Sequence, residues 1–500
     1  MKKNVKIVSL ILALIMIAAV FSACGQKENE EKEDPKDTVV DTKDGETTGD
    51  QTEETTKVPD VGVIDWDGRE YRILGKDHAQ YDIFTSFEVW RQEIPEDVVG
   101  KAIWKRNQDM LENYGIDVVG YLKQDCNSLA ATTLESGEDI YDLMILSPEA
   151  FNPFAMKGQL YDIYTLDFVN TDHDAWMPYP NEQLTMGGRL YYTTNKFLIQ
   201  DKNRYWGMYY NRDMANELNL GHFEDFVFEG TWTVDKVIEL AKKGTYELDG
   251  QQGLGKRDNW GVCCYEYYNF VQIGFGVGFR FTEKGPDGYP VLIGASEDIM
   301  SRLDEMFRLT ADTSIVWNDE RYGDMSTTDS SVHMFYAERA LMMIGSLSTL
   351  QEIGAMVDFK YGVLPNPKYN KNQDLYYTIP NLVNGSLFGV PSTAADSEFV
   401  GYALELISEK SIDTSYRAFI EVNSKLQKVY DEDSAKCLEL IYDGVVYDIA
   451  FVSNIGNIGN IFWRNVAGST TNNYQRVYQR NQSAVETSID NIRKAYAELE

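Results

Sequence analysis

Apolar positions along the chain recur at two periods, and the switches between them outline its elements. Residues 70–74 alternate as a strand entered through an Asp67-Gly68 turn, and residues 98–114 (VVGKAIWKRNQDMLENY) carry apolar side chains at helical spacing. Residues 116–121 predict the next strand, and residues 129–134 begin another helix. Residues 141–146 (YDLMIL) form a continuous apolar run of the kind buried on both faces of a parallel sheet. Strand and helix alternate, so the first region is α/β.

A second alternating region starts near residue 206. Residues 206–210 predict a strand. Thr231-Trp232-Thr233 then opens a helix with apolar positions at Val234, Val237, Ile238 and Ala241, capped by Thr233, favoured by Asp235 in its first turn and closed by Gly244. Trp232, beside the cap, is expected to pack under this helix. Residues 335–340 read as helical before a strand at 341–344, and residues 361–364 as a strand. Residues 398–409, 432–441 and 483–499 show helical spacing. No tandem repeat is visible. The roughly 440 residues after Asp60 exceed one ordinary core and suit two lobes.

The amino-terminal residues differ in kind. Lys2, Lys3 and Lys6 precede an apolar run at 7–21, which ends at Ser22 and Ala23 in the charge, core and cleavage order of a signal peptide. The run is shorter than the roughly 20 residues of a spanning helix. Phe21 stands three positions before a cut after Ala23, where ordinary cleavage wants a small residue. Val20-Phe21-Ser22-Ala23-Cys24-Gly25 instead resembles the bacterial lipobox, with Phe21 in the usual leucine position. That resemblance implies a diacylglycerol-bearing Cys24 as the first mature residue, hence an exported protein anchored on the outer face of the cell membrane. Several acyl chains hold stably, since each buried CH₂ contributes about 0.8 kcal/mol. Residues 25–60 hold thirteen Asp or Glu, five Lys and no aromatic residue, the composition of an extended, disordered tether.

The formal net charge of −33 sets aside nucleic acid, whose binding begins with a basic face. It reads as solubility at a crowded surface. Cys126, Cys263, Cys264 and Cys437 make no disulfide framework for so long a chain, and the adjacent pair, in an apolar strand-like stretch, reads as buried thiols. The histidines at 78, 173, 222 and 333 form no ligand-spaced pair, so neither a metal nor any cofactor is predicted. Residues 250–256 (GQQGLGK) match most of a phosphate-binding loop, but Arg257 replaces the hydroxyl that reaches magnesium and the stretch follows a helix, so a surface turn is expected. Gly274, Gly276 and Gly278 read as packing or bend positions. No catalytic motif appears, although paired carboxylates of a glycoside hydrolase have no sequence spacing to betray them.

Several segments in order resemble family 1 of the extracellular solute-binding proteins, the maltose and multiple-sugar receptors of ABC importers. They are Tyr141-Asp142-Leu143-Met144, Gly158-Gln159-Leu160-Tyr161-Asp162-Ile163, Tyr209-Tyr210-Asn211-Arg212-Asp213, Thr231-Trp232-Thr233-Val234-Asp235, then residues 337–345 and 361–365. The resemblance implies a non-enzymatic, two-lobed α/β fold of the type II periplasmic-binding kind, with crossings near 192–203 and 376–387. After the signal peptide expected at 1–23 and the lipidated Cys and linker expected at 24–60, it implies lobe I at 61–195 with a return at 381–425, lobe II at 196–380, and a helical part at 426–500 mainly on lobe II. It implies an oligosaccharide ligand, ABC permease subunits as partners, and ligand contacts at Asp77, Glu149, Phe151, Asn195, Glu266, Tyr268 and Trp463. Sugars suit such a cleft because their apolar ring faces stack on aromatic rings while their hydroxyls need acids and amides. Ser346-Leu347-Ser348 stands where relatives often carry Trp, which argues against a maltose-like ligand. The competing readings are a polysaccharide-acting hydrolase and a solute sensor partnered with a kinase. Residue by residue, Phe151 and Trp463 have an ordinary core role as their bland alternative, and Asp77, Glu149 and Glu266 a solvated one.

Overall fold

The computed structural model describes residues 59–500 except 79–84, 91–92, 265, 320–329, 382–384, 427–431, 463–464, 467–468 and 500. The expected signal peptide, Cys24, the acidic segment to residue 58, and Trp463 therefore lie outside the described residues.

In chain order the first elements are β1 (Arg69–Lys76), α1 (Val98–Tyr114), β2 (Ile116–Lys123), α2 (Cys126–Ser136), β3 (Leu143–Leu146), α3 (Pro148–Met156) and α4 (Pro178–Leu184). Next come β4 (Trp206–Asn211), α5 (Val234–Gly244), β5 (Trp260–Cys264), α6 (Glu266–Gly276), the hairpin β6 (Thr282–Lys284) and β7 (Pro290–Leu292), then α7 (Glu297–Thr310) and β8 (Val316–Asn318). The remainder includes α8 (Ser331–Tyr336), β9 (Ala340–Ser346), β10 (Tyr361–Leu364), β11 (Leu387–Gly389), α9 (Ser397–Ser411), α10 (Arg417–Leu426), α11 (Glu432–Asp443) and α12 (Tyr474–Ala497).

Two sheets organise the body. The first has the order β11-β3-β1-β2, with β1 parallel to both β2 and β3 and with β11 antiparallel to β3. Every residue of β3 is buried, as its unbroken apolar run predicts. The second has the order β10-β4-β9-β5-β8, where β5 runs parallel to β9 and β8 while β4 opposes β9 and β10. Two sheets with helices packed on them give the two-lobed α/β architecture, α/β as the alternation predicts and two-lobed as the length of the chain suggests.

Local sequence explains most elements and corrects some expectations. Thr233 caps α5 by accepting from the Lys236 amide, and Trp232 is fully buried beneath it, its indole N–H donating to the Pro365 carbonyl at 2.8 Å. Gly244 is not a left-handed cap, because the helix ends on Thr245. Its lack of a side chain lets the helix approach β9, where a Cβ would lie 2.7 Å from Leu341. The helix expected at 335–340 sits earlier, at Ser331–Tyr336, and Glu338 with φ of 56° turns the chain into β9. The last helix begins at Tyr474, well before residue 483, on a buried seam of Tyr474, Val477, Tyr478, Val485, Ile489, Ile492 and Tyr496. It packs against α3 of the first half and against β7 and α7 of the second. Cys126, Cys263, Cys264 and Cys437 are buried thiols.

Candidate functional site

The chain passes between the two sheets at one end of the strands of each. Leu387, the first residue of β11, pairs with Leu146, the last of β3, while Trp206, the first of β4, pairs with Ser346, the last of β9. The crossings therefore leave one sheet and enter the other at the carboxyl ends of their parallel strands. Open α/β sheets bind ligands outside such ends, where loops and helix amino ends converge. Asp77 follows β1, Glu149 follows β3 in the first turn of α3, and Glu266 and Tyr268 follow β5 on α6. Four of the residues expected to touch a ligand thus lie just past the carboxyl ends of parallel strands.

Their surroundings differ. Asp77 is half-buried, its amide donating to the Lys123 carbonyl at 2.9 Å. Glu149 is exposed. The side chains of Glu266 and Tyr268 and all of Trp463 are outside the described residues. Phe151 is fully buried, stacked on Tyr192 with ring centroids 5.3 Å apart, and Asn195 is fully buried with its amide donating to Ser408 at 2.8 Å and accepting from the Phe197 N–H at 2.9 Å. Neither presents surface to a solute here. Phe151 fills the core of the first sheet, and Asn195 braces a crossing.

Two open cavities lie where the halves meet. One, of about 360 Å³, runs between α3 and the carboxyl-terminal segment and is lined by Glu149, Asn152, Ser453, Asn454, Gly456, Ser488 and Asn491. Its polar rim suits hydroxyl groups. Asn454, Gly456 and Asn457 all adopt positive φ there, and a Cβ on Gly456 would lie 2.8 Å from the Val485 backbone. The second, of about 240 Å³, is lined by Tyr179 and Gln183 of α4, by Arg280 and Thr282, and by Tyr447 and Asp448. Tyr179 is 40% exposed, a flat face offered to solvent, and Arg280 lies over the Tyr377 ring at 4.5 Å. Sequence reasoning missed Tyr179, Arg280 and the 453–457 turn, since α4, β6 and this turn lie far apart along the chain.

A third missed residue is Asp319, immediately after β8 and level with the end of β5, where Cys264 pairs with Asn318. It is 2% exposed, and one oxygen accepts from Ser331 at 2.9 Å. Burial pushes its carboxyl up to about 6.

The crossings themselves are knit by buried polar groups. Asn381 donates to the Arg204 carbonyl, and Thr378 exchanges hydrogen bonds with both Trp206 and the segment at Gly444 and Val446, so three stretches run side by side. Asp201 at their centre accepts from Tyr447 at 2.7 Å and, at longer range, from Thr194 and Tyr205. The Lys202 ammonium lies 3.8 Å away. Burial raises the Asp201 carboxyl and lowers Lys202 to about 8.

No protein-family model matches the sequence, and no curated protein does. Solved structures do. An ABC substrate-binding protein of Listeria monocytogenes in complex with cycloalternan is 15% identical, with a TM-score of 0.51 over 86% of this chain and 100% of its own. A cyclo/maltodextrin-binding protein complexed with maltotetraose is 13% identical, with a TM-score of 0.51 over 86% of this chain and 96% of its own. A sugar transporter of Rhizobium etli in an open conformation is 12% identical, with a TM-score of 0.53 over 86% of this chain and 99% of its own. The chain has the two-lobed fold of these sugar-binding substrate-binding proteins, the fold that its sequence resemblance implied.

Proposed function

We propose that this chain is a lipid-anchored solute-binding protein that captures an oligosaccharide between its lobes and hands it to an ABC permease, with no covalent chemistry. The observation that carries this reading is the meeting of two sets of parallel-strand carboxyl ends at a shared crossing, with Glu149, just past the end of β3, lining a cavity rimmed by Ser453, Asn454, Ser488 and Asn491. Acids and amides supply hydrogen bonds to sugar hydroxyls, and the exposed ring of Tyr179 supplies a stacking face. Structures of the same fold hold cycloalternan and maltotetraose. Lobes joined by crossing segments close on a solute by hinge motion.

Anchoring rests on Cys24 within Val20-Phe21-Ser22-Ala23-Cys24-Gly25. In this reading residues 24–60 are the tether, residues 61–195 and 381–425 form lobe I, residues 196–380 form lobe II, and residues 426–500 complete the body. Isothermal titration against a glycan panel tests capture. Micromolar or tighter binding of at least one oligosaccharide is expected, whereas no binding, or release of reducing sugar that a single carboxylate substitution abolishes, contradicts it. Labelled palmitate incorporated by the wild type and lost in Cys24→Ala tests the anchor.

A further inference from the structure

Three groups outside the cleft converge where the described chain begins. His173, Glu405 and Glu409 place their ligand-type atoms within 4.8 Å of one another. Glu405 and Glu409 stand four residues apart on α9 and so share a face. His173 comes from the loop before α4, with Nδ1 3.9 Å from Glu405 Oε1 and Nε2 3.5 Å from Asp60 Oδ2. A fourth donor atom thus adjoins the three.

The Glu405 carboxylate is built like one held for a ligand. It is 1% exposed, and its Oε2 is locked by two donors, the Asn170 amide at 3.0 Å and the Trp176 indole N–H at 2.9 Å. Those bonds aim Oε1 at His173 and leave it buried without a hydrogen-bond partner. A buried acceptor in that state is costly unless something positive meets it. Among the described residues no lysine or arginine pairs with Glu405, Glu409 or Asp60. Glu409 is oriented as well, its two oxygens accepting from the Asp60 and Val61 amides at 2.8 and 3.1 Å. Each of these oxygens retains a second lone pair.

We infer that His173, Glu405 and Glu409, with Asp60 beside them, form a binding site for one divalent first-row cation, zinc by the chemistry of its donors. Mixed imidazole and carboxylate ligands suit zinc, whereas calcium takes six or more oxygens. A four-coordinate ion with bonds of about 2.0–2.2 Å sets its donors roughly 3.5 Å apart, so the widest gap here closes by about an ångström on loading. On loading, Nδ1 of His173 gives up the hydrogen bond it now accepts from the Ala175 amide at 3.1 Å and turns its one lone pair to the ion, while Nε2–H faces Asp60, the outer carboxylate that orients a metal-bound imidazole. The site ties the loop at 170–176 and the start of the folded body to α9, away from the sugar cleft, and is independent of what the cleft binds.

Equilibrium dialysis of the full chain, stripped with chelator and exposed to zinc, manganese or calcium chloride in separate arms, tests the site. Expected is one equivalent of zinc bound at micromolar or lower free metal, with calcium at least tenfold weaker. Loss of affinity of about tenfold or more is expected in His173→Ala and in Glu409→Gln, both partly exposed positions whose replacement leaves the buried Glu405 bonds in place. Cobalt(II) in the same site is expected to give visible ligand-field absorption that vanishes in His173→Ala. No stoichiometric zinc on the wild type, equal zinc on wild type and both variants, or calcium bound as tightly as zinc would overturn the assignment.

Discussion

Two of the joints between the halves of the body are made of different material. At the crossings, Asp201, Lys202, Tyr205, Tyr447 and Thr378 are buried and hydrogen-bonded to one another or to backbone. At the carboxyl terminus, Tyr496 of α12 meets Tyr191 at 5.1 Å and Tyr289 at 6.0 Å between ring centroids, and its hydroxyl, though buried, has no partner. One joint is a polar network whose bonds specify geometry, and the other is chiefly an aromatic contact, with one hydrogen bond from the Arg189 guanidinium to the Tyr496 carbonyl at 2.8 Å. A lobe rotation that preserves the first and repacks the second is the motion this division favours.

Substitutions break or sharpen that contrast. Asp201→Ala should have the largest effect, a loss of about 3–5 kcal/mol in urea unfolding, because Lys202, 1% exposed, loses its nearest carboxylate inside the protein. An unchanged midpoint would mean that the crossings are not held by this network. Next comes a second buried acid, which accepts from the Ser331 hydroxyl. Asp319 titrates at about 6 when folded, above its ordinary 3.8, so the folded state holds the proton more tightly, and the associated stability, full below pH 3.8, is lost as pH rises to about 6. The loss is up to about 3 kcal/mol, and Asp319→Asn should flatten stability across that window.

Two smaller changes have opposite signs. Tyr447→Phe removes a donor to Asp201 and should destabilise by about 1.5 kcal/mol. Tyr496→Phe deletes an unpartnered buried hydroxyl and should be neutral or stabilise by up to about 1 kcal/mol in thermal unfolding. Equal losses from both would erase the distinction between the joints.

Much of the fold was legible because periodicity reports burial directly. α1 spans the residues its spacing predicts, β3 is buried throughout as its run of apolar residues requires, and Thr233 caps α5. Short strands were not legible: β6, β7, β8 and β11 hold three residues each, too few for a period to show. α12 starts early because its first turns bury tyrosines, which read as surface or core equally well. The expected contacts divided in the same way: Glu149, which the resemblance implies, is exposed, while Phe151, two residues on, faces the core, since position on a helix decides exposure. Tyr179 with Arg280, and His173 with Glu405, are brought together only by tertiary packing, and no local signal marks them.

A crystal structure of the chain with the tightest-binding glycan of the panel would test carbohydrate capture most directly. Sugar seated between the ends of β1 and β3 and those of β5, β8 and β9, within hydrogen-bond reach of Glu149, is the predicted result; sugar bound on an outer face of either sheet, away from both sets of strand ends, would contradict it.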